Sequence, residues 1–104
     1  MQDQAVFKAI ADPTRRAIIS MLAGKDLTVN QIAAEFEMSR PAVAKHLGIL
    51  EEGEIISVRR EGRERYNHLQ PERLKVALDW LNYFSQYWDD KLAKLKEEVE
   101  REND

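Results

Sequence analysis

Residues 28–53, TVNQIAAEFEMSRPAVAKHLGILEEG, carry two helix starts, at Thr28 and Ser39, too close together for anything but a sharp turn between two short helices. Thr28 with Gln31 three residues on forms a capping box, in which each side chain satisfies a backbone N–H at the helix start. Leu27 and Ile32 flank it at the spacing of a hydrophobic staple. Ser39 is the N-cap of the second helix, Pro41 sits in the first turn where its missing N–H costs little, and Met38 and Val43 repeat the staple. With Phe36 closing the first helix, only Glu37 and Met38 remain for the turn. Ile32, Ala33, Phe36, Val43, Leu47 and Leu50 then face one another, leaving Arg40, Ala42, Lys45 and His46 outward. Arg and Lys are long donors suited to guanine edges or phosphates, His46 suits either, and Ala42 can lie against a thymine methyl. The pattern reads as a DNA-directed helix-turn-helix, although the spacing alone also fits a helical hairpin with a solvated polar face.

The flanking sequence extends this unit. Ala5, Val6, Phe7, Ala9 and Ile10 repeat at helical spacing over residues 4–11. Asp12-Pro13 starts a second helix that Gly24 ends at Leu22 or Ala23, with Ala17, Ile18, Met21 and Leu22 as its buried stripe. Arg15 and Arg16 are adjacent and must diverge on a helix, which leaves two readings: one reaches a phosphate, or both are solvated with an ion pair to Asp12. After Gly53, the run Ile55, Ile56 and Val58 switches to β-branched residues, Glu61-Gly62 turns, and Arg63 to Leu69 returns, so residues 55–69 form a β-hairpin wing. Arg59, Arg60, Arg63 and Arg65 are spread over it between Glu61 and Glu64. Arginines there grip phosphates or enter a minor groove, Arg63 at the tip foremost, or they guard the strand edge against unwanted pairing.

Pro71 opens a last helix, expected to run unbroken over 71–101, about 30 residues and roughly 45 Å. Leu74, Leu78, Leu81, Phe84, Trp88, Leu92, Leu95 and Val99 form one stripe, widened by Trp80, Tyr83 and Tyr87. That width suits two contact surfaces, one on the chain's own domain and one on a second copy; a small-molecule pocket among Trp80, Tyr83, Phe84, Tyr87 and Trp88 is the lesser alternative. The charged tail from Lys94 to Asp104 is expected to fray.

The 104 residues suit one domain, 1–104, without room for a separate catalytic unit. The expected fold is mainly α with a small β-hairpin, an α+β winged helix-turn-helix in the order α-α-α-α-β-β-α. With 4 glycines, 2 histidines and no cysteine, no nucleophile triad, phosphate-cradling loop or metal set assembles, so no enzyme, cofactor or metal is expected. No apolar run suits a bilayer and the start is polar, which points to a cytoplasmic protein without membrane contact. The net charge is −3, but residues 39–70 carry 6 basic and 5 acidic side chains against 6 and 9 in 71–104, so the acid lies away from the motif.

DPTRR at 12–16, SRPAVAKHL at 39–47, LEEGEI at 50–55 and REGRERY at 60–66, in this order, resemble the ArsR family of bacterial winged-helix transcriptional regulators. DWL at 79–81 and YWDDKLAKL at 87–95 look most like its branch without metal sites. The resemblance implies a homodimer in which the first and last helices pair, with Val6, Phe7, Ile10, Leu81, Phe84, Trp88 and Leu92 at the interface. It implies repression through double-stranded DNA contacted by Ser39, Arg40, Ala42, Lys45 and His46 and by Arg63 and Arg65, on a palindromic operator. The family's paired cysteines are missing from TVNQIAAEF, and Asp79, Asp89 and Asp90 have no histidine near them, so any effector is an unknown small molecule or protein. Ala44 stands where many relatives have serine, so one of the family's DNA hydrogen bonds is expected to be missing. The competing function is a winged-helix module that binds protein instead of DNA.

Overall fold

The computed structural model describes residues 2–102, so Asn103 and Asp104 of the expected frayed tail lie outside the described residues. Helices α1 (Gln2–Ile10) and α2 (Pro13–Leu22) lead into a short strand β1 (Leu27–Thr28) and a one-turn helix α3 (Val29–Ala33). Helix α4 (Arg40–Glu52), strands β2 (Ile56–Glu61) and β3 (Glu64–Leu69), a 3-10 turn (Pro71–Leu74) and helices α5 (Lys75–Tyr83) and α6 (Ser85–Glu102) complete the chain. The sheet runs β1-β3-β2, antiparallel throughout. Strand β1 was not expected; its Leu27 pairs with Asn67, whose buried amide donates to the Leu27 carbonyl at 3.1 Å.

The local signals act as read. Asp12 Oδ2 caps Arg15 N at 3.0 Å, Thr28 and Gln31 exchange both bonds of their box, and Ser39 Oγ accepts from Ala42 N at 3.3 Å. Helix α3 stops at Ala33 rather than Phe36, because Glu35 N and Phe36 N bond three residues back, to Ile32 O and Ala33 O. That tightening turns the chain early.

One core joins α1 to α4 with the three strands: Val6 and Ala9, Ile18 and Leu22, Leu27, Ile32, Val43, Leu47 and Leu50, then Ile55, Ile56 and Leu69. Ala17, expected in the α2 stripe, is exposed, and Met21 is half-buried. The end of α4 is fixed by two different residues. Gly53 keeps a right-handed φ of −79°, and a Cβ on it would meet Ala5 O of α1 at 3.1 Å. The left-handed position that closes the helix is Glu54, φ 58°, followed by Ile55 N bonding back to Leu50 O at 3.0 Å. Arg73 Nε caps Gly53 O at 3.3 Å and Gln70 Nε2 caps Glu54 O at 2.8 Å.

The single last helix expected over 71–101 is interrupted at Phe84. There φ is −94° and ψ 0°, Phe84 N bonds to Leu81 O, and Ser85 Oγ donates to Asn82 O at 2.8 Å. A serine hydroxyl on a nearby carbonyl competes with the helical ladder. Beyond it α6 stays helical to Glu102, and every described residue of α6 is exposed.

Candidate nucleic-acid interface

Helix α4 buries Val43, Leu47 and Leu50 and turns the opposite side outward. On that side Arg40 and Lys45 are exposed and make no ion pair among the described residues, Ala42 is half-buried, and Ala44 and Gly48 are open. Ser39, exposed, uses its hydroxyl as the cap acceptor and keeps its O–H free. His46 behaves differently. Its ring is turned toward α2, with Nδ1 3.1 Å from Arg15 Nη1 and 3.9 Å from Asp12 Oδ2.

Arg15 is half-buried and Arg16 exposed, and both bond backbone carbonyls at the end of α1. Arg15 Nε donates to Ala9 O at 2.7 Å and Nη2 to Lys8 O at 2.9 Å, and Arg16 Nη1 donates to Ile10 O at 2.8 Å. Two guanidinium groups thus satisfy the last carbonyls of α1, where the helix leaves acceptors unpaired and favours positive charge. Asp12 is held below the usual carboxylate range, first by the Arg15 backbone N–H and then by the nearby Arg15 charge, with partial desolvation opposing.

The wing turns on Gly62-Arg63, with Gly62 at φ 62° in the first central position, the pattern of a two-residue type II′ turn. Its register sets Arg60 opposite Arg65 and Glu61 opposite Glu64. Side chains alternate along a strand, so Arg60 and Arg65 share a face with Val58 and Asn67, while Arg59 shares the other with Tyr66 and His68. Arg65 lines a groove with Val58 and Asn67 opposite Ala44, Gly48 and Glu51 of α4. Arg60, Arg63 and Arg65 are exposed and outside every ion pair among the described residues. Arg59 is spent internally: it pairs with Asp26, bonds Glu61 at 3.3 Å and lies 4.9 Å over the Tyr66 ring. Asp26 also accepts from His68 Nδ1 at 2.8 Å. That bond first, and Arg59 after it, holds Asp26 below the usual carboxylate range, and Asp26 in turn raises Arg59. Sequence reasoning missed this clasp, which joins residues 33 and 42 positions apart.

The candidate pairing surface is divided. Val6 is fully enclosed in its own chain's core and presents no surface of its own to a partner. Phe7 is half-buried edge-on against Trp80, ring centroids 5.6 Å apart, and Ile10 packs on the core. Phe84 lies half-buried between Trp80 and Tyr83. Leu81, Trp88 and Leu92 are about 60% exposed, continuing through Leu95 and Val99. Tyr83, Tyr87 and Trp88 are all more than half exposed, so the aromatic residues form an open shelf and not a closed pocket.

Residues 12–58 match the model of bacterial regulatory proteins of the arsR family. The transcriptional repressor SdpR of Bacillus subtilis (strain 168) is 41% identical over 87 residues, 84% of this chain and 97% of that protein. The chain belongs to the ArsR family. Among solved structures, the ArsR-family transcriptional regulator RHA00566 superposes with a TM-score of 0.76 at 33% identity, covering 85% of this chain and 91% of that one. Mb0332 of Mycobacterium bovis, described as a homodimeric winged helix-turn-helix DNA-binding domain, gives 0.66 at 27%, covering 83% and 82%. This ArsR-family member is a winged helix-turn-helix DNA-binding transcriptional regulator, with α3 and α4 as its motif and β2–β3 as its wing.

Proposed function

We propose that this regulator acts in the cytoplasm as a homodimeric repressor, setting one α4 from each protomer into successive major grooves of a palindromic operator. Half-sites about one helical turn apart follow from the two-fold symmetry. The observation that carries the reading is the unpaired cation set: Arg40 and Lys45 on α4 and Arg60, Arg63 and Arg65 on the wing have no carboxylate partner within the chain's described residues. Ser39 and Ala42 complete the α4 surface. The dimer is supported by the bare stripe Leu81, Trp88, Leu92, Leu95 and Val99, which water would otherwise cover, and by the homodimeric state of Mb0332. Repression follows SdpR, which is named a repressor. Titrating a labelled duplex from upstream of the regulator's own gene tests the reading. Arg40→Ala or Lys45→Ala should weaken specific binding by about 1–3 kcal/mol. Unchanged affinity in both would remove α4 as the reading helix.

A further inference from the structure

The contact between Arg15 and His46 joins residues 31 apart in sequence and links a side chain of α2 to one of α4. Its chemistry is one-directional. A guanidinium carries five N–H donors and no acceptor, so at 3.1 Å His46 Nδ1 must accept from Arg15 Nη1. The imidazole is then neutral with its proton on Nε2. Nε2 has no partner among the described residues and the side chain is 23% exposed, which leaves the ring an unspent N–H donor on the flank of α4. The Arg15 fork cannot slide to another arrangement, because Nε and Nη2 are fixed on Ala9 O and Lys8 O and its own backbone N–H is held by Asp12.

We propose that Arg15 is a positioning residue for DNA reading. It locks His46 in the Nε2–H tautomer, so that α4 offers DNA a single-sense donor for a phosphate oxygen or a guanine acceptor. It also anchors α4 to the end of α1. Arg15 itself touches no DNA. This assignment rests on the DNA-binding reading of α4 and refines it.

Two measurements test it. Long-range ¹H–¹⁵N spectra of the free protein at neutral pH should show His46 as one neutral tautomer, with Nδ1 unprotonated and hydrogen-bonded. In Arg15→Lys, which keeps the charge but loses the fork, that Nδ1 signature should be lost. The second measurement is a double-mutant cycle of affinity for a duplex selected from random sequence by the wild-type protein. Arg15→Lys should weaken binding roughly 3–10-fold in the wild type and less than about 2-fold in a His46→Ala background, because the two residues act through one hydrogen bond. A purely structural Arg15 would give additive losses, and either additivity or an unchanged His46 signature overturns the proposal. Should the wild-type protein select no duplex, the DNA reading falls and this assignment with it. Thermal unfolding of Arg15→Lys within a few degrees of wild type confirms that folded proteins are compared.

Discussion

Arg60 stands directly opposite Arg65 across the wing, two like charges with no carboxylate between them. Such a cross-strand pair is destabilising unless something anionic is shared, and a phosphodiester suits it. One residue earlier, Arg59 is neutralised by Asp26 and Glu61 on the other face. Arg60→Ala, Arg63→Ala and Arg65→Ala should each weaken binding to all duplexes and flatten the dependence of log K on log salt by about one unit. Arg59→Ala should leave the slope unchanged. Equal slopes for all four variants would show that strand alternation does not sort the wing.

The sorting was within reach of the sequence. Placing the turn at Glu61-Gly62 sets Arg60 opposite Arg63, a register two residues out that keeps the faces and changes only the cross-strand partners. Centred on Gly62-Arg63, the same residues pair Arg60 with Arg65 at once. Helix starts were legible because their signals are local: Asp12-Pro13, Thr28 with Gln31, and Ser39 with Pro41 are all within three residues of what they cap. Strand β1, the Asp26 clasp and the Arg15–His46 bond were not, since each needs a partner brought up by the tertiary fold. The break at Phe84 escaped notice because neither glycine nor proline marks it; Ser85 beside it was the available sign.

Gly53 sits where α4 ends and α1 comes close. It is required by the approach of α1 and not by a left-handed turn, since its φ is −79°. Gly53→Ala should cost about 1–3 kcal/mol in denaturant unfolding as the added methyl presses on Ala5 O. Glu54→Gly should stabilise by about 1 kcal/mol, because Glu54 carries the positive φ. Opposite signs would invert the account of this helix end.

Stability should fall in acid through Asp12 and Asp26. Both folded-state values lie below the ordinary aspartate value. Their stabilisation is therefore complete above the ordinary, unfolded value and is lost as the pH drops through the folded ones. Thermal midpoints should be level at neutral pH and fall below the ordinary aspartate range. Asp26→Asn should start lower and converge on wild type in acid. A constant difference at every pH would show that the clasp is not ionic.

The pairing surface is tested by Leu81→Glu and Trp88→Glu, which place charge in the exposed stripe of α5 and α6. Sedimentation should give monomers, folded by circular dichroism and poor in DNA affinity. Dimers of unchanged mass would move the interface elsewhere.

The central claim is that α4 and the wing read DNA as a symmetric pair. Its most direct test is a fluorescence-anisotropy titration of the duplex upstream of the regulator's own gene against a scrambled duplex, at two salt concentrations. The account predicts tighter binding to the upstream duplex, two protomers per site, and affinity that drops steeply with salt. Salt-insensitive or sequence-indifferent binding there, with no duplex recovered from random-sequence selection, would contradict it and leave a winged helix that recognises protein.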